Sequence, residues 1–200
     1  MLRGYYFITD ARLSLGGNLH DLAEAVAAGS PVVQYRAKDL STREMLAEAM
    51  ALRALCRKTC FLVNDRVDIA LASGADGVHL GQDDLPLPQA RALLGPGKLI
   101  GLTVHNLAEA ETAVREGADY LGVSPIFATQ TKADAGPPAG IALVRELRQA
   151  TKLPIVAIGG ITLRNAPDVI AAGADCVCAI SAVVTRPDVK LAVGEFQRLF

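Results

Sequence analysis

The tripeptide Gly-Ala-Asp occurs three times in this chain, at residues 74–76, 117–119 and 173–175. Each copy follows a stretch with helical periodicity and precedes a short apolar run, and Gly29 before Ser30-Pro31 resembles a degenerate fourth copy. Because glycine can end a helix in the left-handed conformation at low cost, each copy is typical of a junction between a helix and a strand. The repeated junction therefore predicts a fold assembled from repeated βα units.

Apolar runs and helical patterns alternate along the 200 residues, with eight of each. Strands are predicted near residues 4–9, 31–36, 60–63, 76–80, 99–103, 119–123, 154–158 and 175–180, and helices near residues 18–28, 41–58, 66–73, 87–94, 106–116, 139–150, 163–172 and 187–199. This alternation predicts an α/β fold, a (β/α)8 TIM barrel that forms a single domain over residues 1–200. An open, doubly wound sheet is the alternative, but its typical Gly-x-Gly-x-x-Gly signature does not follow the first strand.

The composition limits the partners and the setting of the protein. The formal net charge is −1, so no overall field would attract nucleic acid or an anionic membrane. No apolar run is long enough to span a bilayer, and the apolar start of the chain is too short for a signal peptide. The spacings of Cys56, Cys60, Cys176 and Cys178 match neither a zinc site nor a redox pair, which predicts reduced thiols in a cytoplasmic protein.

Six of the apolar runs end abruptly in polar side chains or in paired glycines. These clusters are Gln34–Lys38, Asn64–Asp65, Gln82–Asp84, Thr103–Asn106, Thr129–Lys132 and Gly159–Gly160. The carboxyl ends of all strands meet at one rim of a parallel barrel, and the reactive groups of such barrels gather there. The clusters therefore predict a site assembled at that rim.

Gln34, Arg36 and Lys38 alternate along the second predicted strand and its end. Side chains two residues apart point to the same side of a strand, so two cations and an amide are expected to converge on an anion. A solvated strand end is the alternative interpretation, but a central barrel strand has no solvent-exposed face below its top.

Asp65 and Asp84 end the third and fourth strands, which are neighbours in a barrel. Two carboxylates at adjacent strand ends predict an oxygen site for a hard cation, and Mg2+ takes one or two carboxylates together with phosphate oxygens. Two alternatives stay open. Asp65 could cap the helix that follows it, and Asp83 could be the ligand in place of Asp84.

The loops after the seventh and eighth strands carry Gly159-Gly160 and Ile180-Ser181. In phosphate-binding barrels these loops supply amide donors to a phosphate, although a Gly-Gly pair could also be only a tight turn. The long irregular segment from Pro125 to Pro138 is a candidate lid over the rim. Together, the predicted cation site, the anion-binding groups and this separate phosphate site suit two phosphorylated substrates, one of them a diphosphate.

Two histidines lie near the predicted rim. His79 stands within an apolar strand and is interpreted as a packed residue rather than a base. His105 follows a strand end, so it either acts at the rim or orients the turn into the helix at Asn106. The sequence contains no recognisable Ser/His/Asp arrangement for nucleophilic catalysis.

Five motifs occur together in the order found in one enzyme family. They are Gln34-Tyr35-Arg36-Ala37-Lys38, Val63-Asn64-Asp65-Arg66, Gly77-Val78-His79-Leu80-Gly81-Gln82-Asp83-Asp84, Thr129-Gln130-Thr131-Lys132 and Ala157-Ile158-Gly159-Gly160-Ile161. With them the chain resembles the thiamine-phosphate synthase (thiamine-phosphate pyrophosphorylase) family over essentially its whole length. The resemblance implies a magnesium-dependent transferase that joins hydroxymethylpyrimidine diphosphate to a thiazole phosphate by a carbocation-like alkyl transfer, releasing diphosphate and thiamine phosphate.

The resemblance also implies a role for each matching residue. Contacts to the pyrimidine diphosphate would come from Gln34, Arg36, Lys38, Asn64, Thr103 and Lys132, and Mg2+ would be held by Asp65 and Asp84. The thiazole-phosphate site would comprise Thr129, Gln130, Thr131, Gly160, Ile180 and Ser181, while Lys132 and Thr103 would serve catalysis. Thr103 stands where the family usually has Ser, and Ser124 stands where Gly is common; both changes concern local packing.

Two other functions fit parts of the pattern. A thiazole tautomerase, an isomerase on the same barrel, would use His105 but needs neither diphosphate nor Mg2+. A non-catalytic phosphate-binding barrel would keep Gly160 and Ser181 while losing the metal pair. The full set of Lys38, Asn64, Asp65, Asp84 and Lys132 argues against the tautomerase, and titration of Mg2+ against diphosphate binding would separate the non-catalytic barrel from the synthase. Small-molecule substrates are the expected partners, with no nucleic acid and no membrane, and a homo-oligomer is left open.

Overall fold

Eight parallel strands form a closed barrel in which each strand pairs with the next along the chain and the last pairs with the first. The computed structural model describes residues 2–129, 131 and 136–200. The strands are β1 (Gly4–Ile8), β2 (Val32–Tyr35), β3 (Cys60–Asn64), β4 (Gly77–Leu80), β5 (Leu99–Val104), β6 (Tyr120–Val123), β7 (Ile155–Ile158) and β8 (Cys176–Cys178). The predicted TIM barrel is confirmed.

Helices connect the strands and pack against the outer side of the barrel. They are α1 (Asn18–Ala27), α2 (Thr42–Leu55), α3 (Val67–Ser73), α4 (Leu87–Leu94), α5 (Leu107–Glu116), α6 (Gly140–Ala150), α7 (Ala166–Ala171), α8 (Ile180–Val184) and α9 (Val189–Gln197). Within the described ranges, no helix is long and apolar enough to cross a membrane.

The last βα unit differs from its prediction. A strand was predicted over residues 175–180, but β8 ends at Cys178 and the short helix α8 begins at Ile180. The described residues therefore contain nine helices rather than the predicted eight. A continuous apolar run does not distinguish a buried strand from a short buried helix, which is why this boundary was wrong.

Alternate strand residues face the barrel interior, where they form a cluster separate from the outer core. The interior cluster comprises Tyr6, Ile8, Val32, Leu62, Tyr120, Val156, Cys176 and Cys178. Intervening residues such as Tyr5, Phe7 and Val33 belong to the core shared with the helices. This period of two determines which side chain at each strand end can reach the mouth of the barrel.

The Gly-Ala-Asp repeats lie at the opposite face, where they precede β4, β6 and β8. Gly74 and Gly117 end α3 and α5 in the left-handed conformation, as the sequence predicts. Each aspartate accepts a backbone hydrogen bond from the preceding strand and pairs with an arginine of the helix before that strand. The sets are Asp76 with Phe61 and Arg53, Asp119 with Ile100 and Arg91, and Asp175 with Ile155 and Arg148. The repeats therefore hold together the amino-terminal face, away from the rim.

Candidate active site

A cavity of about 410 Å3 opens at the carboxyl ends of the strands. Every predicted site residue in the described part of the chain lines it: Gln34, Arg36, Lys38, Asn64, Asp65, Asp84, Thr103, Thr129, Thr131, Gly160, Ile180 and Ser181. Gln130 and Lys132 lie outside the described residues, as does part of the candidate lid from Pro125 to Pro138. The barrel thus brings together residues from all seven of the polar or glycine-bearing segments named above, which follow β2 to β8 in chain order.

The end of β2 carries an amide and two cations that all line the cavity. Gln34 is 1% exposed, and its amide nitrogen donates to the Tyr6 hydroxyl at 2.7 Å. The guanidinium of Arg36 lies 3.3 Å from the carboxylate of Asp10, while the side chain of Lys38 is about half exposed. The alternative of a solvated strand end therefore describes Lys38 only, and the three side chains share one side of the chain.

Asp65 has a φ of 61°, so its backbone lies in the left-handed region that glycine adopts most readily. Its amide donates to the carbonyl of His79 at 2.8 Å, and the Lys38 ammonium lies 2.5 Å from its carboxylate. The N-cap position of α3 belongs to Arg66, and no side-chain capping bond is made there. The alternative that Asp65 caps α3 is therefore wrong, and its carboxylate borders the cavity instead.

The Asp84 carboxylate turns back towards its own loop, where it accepts a hydrogen bond from the Gly81 amide at 2.5 Å. Burial raises the pKa of Asp84, and the neighbouring Asp65 carboxylate raises it too, whereas the Gly81 amide and Lys38 act in the opposite direction. Asp83 also lines the cavity but is exposed. The geometry therefore favours Asp84 over Asp83 as the partner of Asp65.

Asp65 and Asp84 together form a donor set suited to a hard cation. Both donors are carboxylates, and a divalent cation would relieve the repulsion between them. Within residues 2–129, 131 and 136–200, no group of three or more histidine, cysteine, aspartate or glutamate side chains is placed to hold a metal. Mg2+ fits a pair of carboxylates because it usually keeps water and phosphate oxygens in its remaining positions.

Gly159 and Gly160 follow β7 with φ values of 100° and 62°. A methyl group on Gly159 would lie 2.6 Å from Cβ of Pro125, and one on Gly160 would lie 2.6 Å from the carbonyl oxygen of Ala128. The pair is therefore required by the close passage of the chain after β6, and not only by a tight turn. This leaves the backbone itself exposed to the cavity at Gly159 and Gly160.

His79 and His105 occupy different environments. The ring nitrogens of His79 lie 2.9 Å from the Tyr120 hydroxyl and 2.9 Å from the Thr103 hydroxyl, in agreement with a packed strand histidine. His105 lies at the rim, with Nδ1 2.9 Å from the Glu109 carboxylate, which also accepts a hydrogen bond from the His105 amide. Glu109 thus ties His105 to the start of α5, and both histidines border the cavity.

Several apolar residues line the cavity although the sequence analysis assigned them no role. Ile8, Ile158 and Cys178 are the last interior residues of β1, β7 and β8. The period of two along a strand is the signal that could have identified them. They form an apolar floor of the cavity, where it meets the cluster in the barrel interior.

Comparison with known proteins agrees with this geometry. Residues 5–183 match the family described as Thiamine monophosphate synthase. The chain is 53% identical to the Thiamine-phosphate synthase of Methanosarcina barkeri over 187 residues, which cover 93% of this chain and 85% of that protein. It is also 53% identical to the Thiamine-phosphate synthase of Chloroflexus aurantiacus over 197 residues, which cover 97% of this chain and 91% of that one.

Solved structures place the chain in the same group. The structure of a thiamine phosphate pyrophosphorylase from Pyrococcus furiosus matches with a TM-score of 0.90 at 40% identity, covering 98% of this chain and 94% of that one. A 3-hexulose-6-phosphate synthase, at 16% identity and a TM-score of 0.69, shares the fold alone. The chain is therefore a transferase that belongs to the thiamine monophosphate synthase family.

Proposed function

We propose that the cavity joins hydroxymethylpyrimidine diphosphate to a thiazole phosphate and releases diphosphate and thiamine phosphate. The observation that carries this proposal is the carboxylate pair Asp65 and Asp84, which stands beside the cations Arg36 and Lys38 at one rim. Such a grouping suits a diphosphate accompanied by a divalent cation. Membership of the family supports the class of reaction.

The pyrimidine diphosphate would extend from the cavity floor to its rim. Gln34 and Thr103 are both buried and suit contacts to the ring, whereas Arg36, Lys38 and Asn64 are more exposed and suit contacts to the diphosphate. A guanidinium can bind two phosphate oxygens at once, and an ammonium adds a compact charge. This arrangement would hold the leaving group at the open side of the barrel.

Asp65 and Asp84 would hold Mg2+ through their carboxylate oxygens. When bound, Mg2+ supplies positive charge that offsets the charge developing on the departing diphosphate. The Lys38 ammonium, 2.5 Å from the Asp65 carboxylate, is close enough to the same centre to contact that diphosphate as well. Because burial raises the pKa of Asp84, protons compete with the cation for this carboxylate as the pH falls.

The reaction needs no protein nucleophile. The bond between the pyrimidine methylene carbon and the bridging oxygen breaks, its electron pair leaves with the diphosphate, and the electron-rich pyrimidine supports the carbocation-like carbon. The thiazole nitrogen then donates its lone pair to that carbon and forms the new carbon–nitrogen bond. The chain's residues orient the two rings and stabilise the departing charge, with Thr103 and Lys132 as the proposed catalytic residues.

The thiazole phosphate would bind at the loops after β6, β7 and β8. The proposed contacts are Thr129, Gln130, Thr131, Gly160, Ile180 and Ser181. In TIM barrels a phosphate site frequently combines the loops after the seventh and eighth strands with a short extra helix, and α8 has that position. The apolar floor formed by Ile8, Ile158 and Cys178 would pack against the rings and limit the access of water.

The two other functions receive less support. A thiazole tautomerase needs no diphosphate site, and a non-catalytic barrel needs no metal pair, whereas this cavity has Lys38 beside Asp65 and Asp84. The similar proteins in Methanosarcina and Chloroflexus carry the name of the synthase. All four cysteines, which lie within the described residues, are free thiols, and we propose a cytoplasmic location on that ground.

A coupled assay for inorganic diphosphate tests the proposal. Release is expected only when the pyrimidine diphosphate, the thiazole phosphate and Mg2+ are all present, and it should stop with a chelator and resume when Mg2+ is restored. Lys38→Met should reduce the rate at least about tenfold. Lys58→Met, which removes an exposed lysine just before β3 at the other end of the barrel, is the matched control. Release that does not depend on the thiazole phosphate would contradict the proposed transfer.

A further inference from the structure

A continuous chain of hydrogen bonds crosses the barrel interior and links two side chains of the cavity. The amide nitrogen of Gln34 lies 2.7 Å from the Tyr6 hydroxyl, which lies 2.9 Å from the Tyr120 hydroxyl. That hydroxyl lies 2.9 Å from Nδ1 of His79, and Nε2 of His79 lies 2.9 Å from the Thr103 hydroxyl. Gln34 and Thr103 line the cavity, whereas Tyr6 and Tyr120 have no exposed surface.

Glycines on the strands leave room for the rings of Tyr120 and His79. A methyl group on Gly101 would lie 2.0 Å from Cζ of Tyr120, and one on Gly122 would lie 2.7 Å from Cε1 of His79. The rings of His79 and Tyr120 stack with their centroids 5.5 Å apart. Branched apolar residues dominate most barrel interiors, and a buried hydroxyl is costly unless it is hydrogen-bonded. The polar rings are therefore more than space-filling residues.

The hydrogen bonds between Gln34 and Thr103 can be donated in either of two directions: from Gln34 towards Thr103, or from Thr103 towards Gln34. Burial raises the pKa of Tyr6 and of Tyr120, so each phenol keeps its proton and can donate one hydrogen bond while accepting another. A neutral imidazole likewise donates from one ring nitrogen and accepts at the other. The direction of the first bond, at Gln34, therefore sets the direction of every bond as far as Thr103.

Each order gives the two cavity residues a different character. When the Gln34 amide nitrogen donates to Tyr6, as in this structure, Thr103 accepts from His79 and keeps its own proton for a ligand. The Gln34 carbonyl oxygen is then available as an acceptor. In the reverse order Gln34 offers its amide N–H groups, and Thr103 donates to His79 and can only accept from a ligand.

We infer that Tyr6, Tyr120 and His79 are positioning residues that couple the hydrogen-bonding character of Gln34 to that of Thr103. The inference rests on the proposed function, because the ligand concerned is the aminopyrimidine ring of the diphosphate substrate. Such a ring has an amino donor beside a ring-nitrogen acceptor, which matches an acceptor on Gln34 and a donor on Thr103. A pyrimidinone has a carbonyl acceptor beside an N–H donor and requires the reverse order. Tyr6, Tyr120 and His79 thus favour the amino-substituted ring although they do not contact it.

Binding measurements on Tyr120→Phe and Tyr6→Phe test this inference, since each variant keeps the ring and loses only the hydroxyl. Titration calorimetry with Mg2+ and without thiazole phosphate would use three probes: the aminopyrimidine diphosphate, its pyrimidinone analogue and inorganic diphosphate. Both variants should bind the aminopyrimidine diphosphate about tenfold more weakly and lose most of the discrimination against the pyrimidinone. Affinity for inorganic diphosphate should stay within about twofold of wild type, a pattern that a general loss of structure would not produce.

Tyr5→Phe is the matched control. Its hydroxyl is also buried, but it donates to the carbonyl of Ala179 at 3.2 Å from the outward side of β1. This variant should bind all three probes as wild type does, and Tyr6→Phe carries the test if Tyr120→Phe does not fold. Tyr6→Phe that binds like Tyr5→Phe, or that loses inorganic diphosphate equally, would overturn the inference. A wild-type protein that binds the aminopyrimidine diphosphate no better than inorganic diphosphate would overturn the proposed function as well.

Discussion

At the scale of single residues, Asp65 combines a strained backbone with a charged side chain at the cavity. Its φ of 61° costs about 1 kcal/mol or more for a residue with a side chain. This backbone conformation of Asp65 is retained by the hydrogen bond from its amide to the His79 carbonyl oxygen and by the ion pair with Lys38. Together these contacts direct the carboxylate towards Asp84, where the two acids can share a cation.

Asp65→Asn should lower the rate of diphosphate release at least about 100-fold while leaving the melting temperature nearly unchanged. Asparagine keeps the shape of the side chain and tolerates the left-handed conformation, but it lacks the charge needed for Mg2+. Steady-state kinetics over a range of Mg2+ concentrations, together with thermal unfolding, would measure both effects. Asp83→Asn is the control and should stay within about tenfold of wild type. Equal losses of rate in the two variants would contradict the proposal that Asp65, and not Asp83, holds the metal.

Asp21 on α1 is an acid buried away from the cavity. Both of its carboxylate oxygens are buried, and neither has a hydrogen-bond partner among the described residues. Burial raises the pKa of Asp21, and the nearby Ser14 hydroxyl and His20 offset this only in part. Its pKa in the folded protein therefore lies above the unfolded value of about 3.9. The stability that this group contributes is complete below the unfolded pKa and is lost as the pH rises through the folded pKa.

Asp21→Asn should remove this dependence on pH. Relative to wild type, the free energy of unfolding of the variant should increase between about pH 4 and pH 7, by on the order of 1 kcal/mol. Urea unfolding of both proteins at several pH values would measure the difference. If the difference stays constant over this range, Asp21 does not titrate with a raised pKa in the folded protein.

At the scale of elements, the three Gly-Ala-Asp junctions connect α3, α5 and α7 to the strands that follow them, each with the same set of bonds. In the second copy, the Asp119 carboxylate accepts from the Ile100 amide at 2.7 Å and lies 2.5 Å from the Arg91 guanidinium. The Asp119 amide in turn donates to the Ile100 carbonyl at 2.8 Å. The start of β6 is thereby held against the start of β5, far from the site.

Asp119→Ala should lower the free energy of unfolding by about 2 kcal/mol, because it removes the side-chain acceptor of the Ile100 amide and the carboxylate partner of the Arg91 guanidinium. Turnover per folded molecule should be unaffected, since the junction lies at the opposite face of the barrel from the cavity. Denaturant unfolding and the diphosphate assay would measure the two effects. Asp68→Ala removes the more exposed ion pair with Arg66 and should cost less than about 1 kcal/mol. A similar cost in both variants would show that the junction adds little.

At the scale of the whole molecule, the barrel interior is packed so closely that it has no room for a methyl group at Gly101. Gly101 on β5 faces the Tyr120 ring, and a methyl group there would lie 2.0 Å from its Cζ atom. The Tyr120 ring cannot move away easily, because its hydroxyl is hydrogen-bonded to both Tyr6 and His79. Packing and the hydrogen-bond chain therefore depend on each other.

Gly101→Ala should destabilise the barrel by about 3 kcal/mol, because overpacking forces the Tyr120 ring or the strand to shift. It should also weaken binding of the aminopyrimidine diphosphate through displacement of the hydrogen-bond chain. Urea unfolding and calorimetry would measure the two effects. Gly97→Ala is the control, because a methyl group at Gly97 meets no atom within 4 Å. If Gly101→Ala is as stable as Gly97→Ala, the interior adapts more readily than its packing indicates.

Much of the architecture and of the rim could be predicted from local patterns. Helix ends at glycine and the alternation of strand residues depend on backbone preferences that act over a few residues, so Gly74, Gly117 and the order of βα units are readable. Once the repeat implies a closed parallel barrel, the ends of its strands must share one rim. Residues as distant in the chain as Gln34, Asp84 and Gly160 could therefore be assigned to one cavity before their positions were known.

The sequence by itself thus determined the repeating unit and the rim, whereas only the tertiary structure decided which side chains touch. Ile180, predicted as the end of the eighth strand, instead begins the helix α8, and Asp65 took a left-handed conformation that no neighbouring residue indicates. Tyr6 and Tyr120, 114 residues apart, share a hydrogen bond only because β1 and β6 face each other across the closed barrel. Such contacts depend on closure and on the space left by other strands, and that information is not contained in any short stretch of the chain.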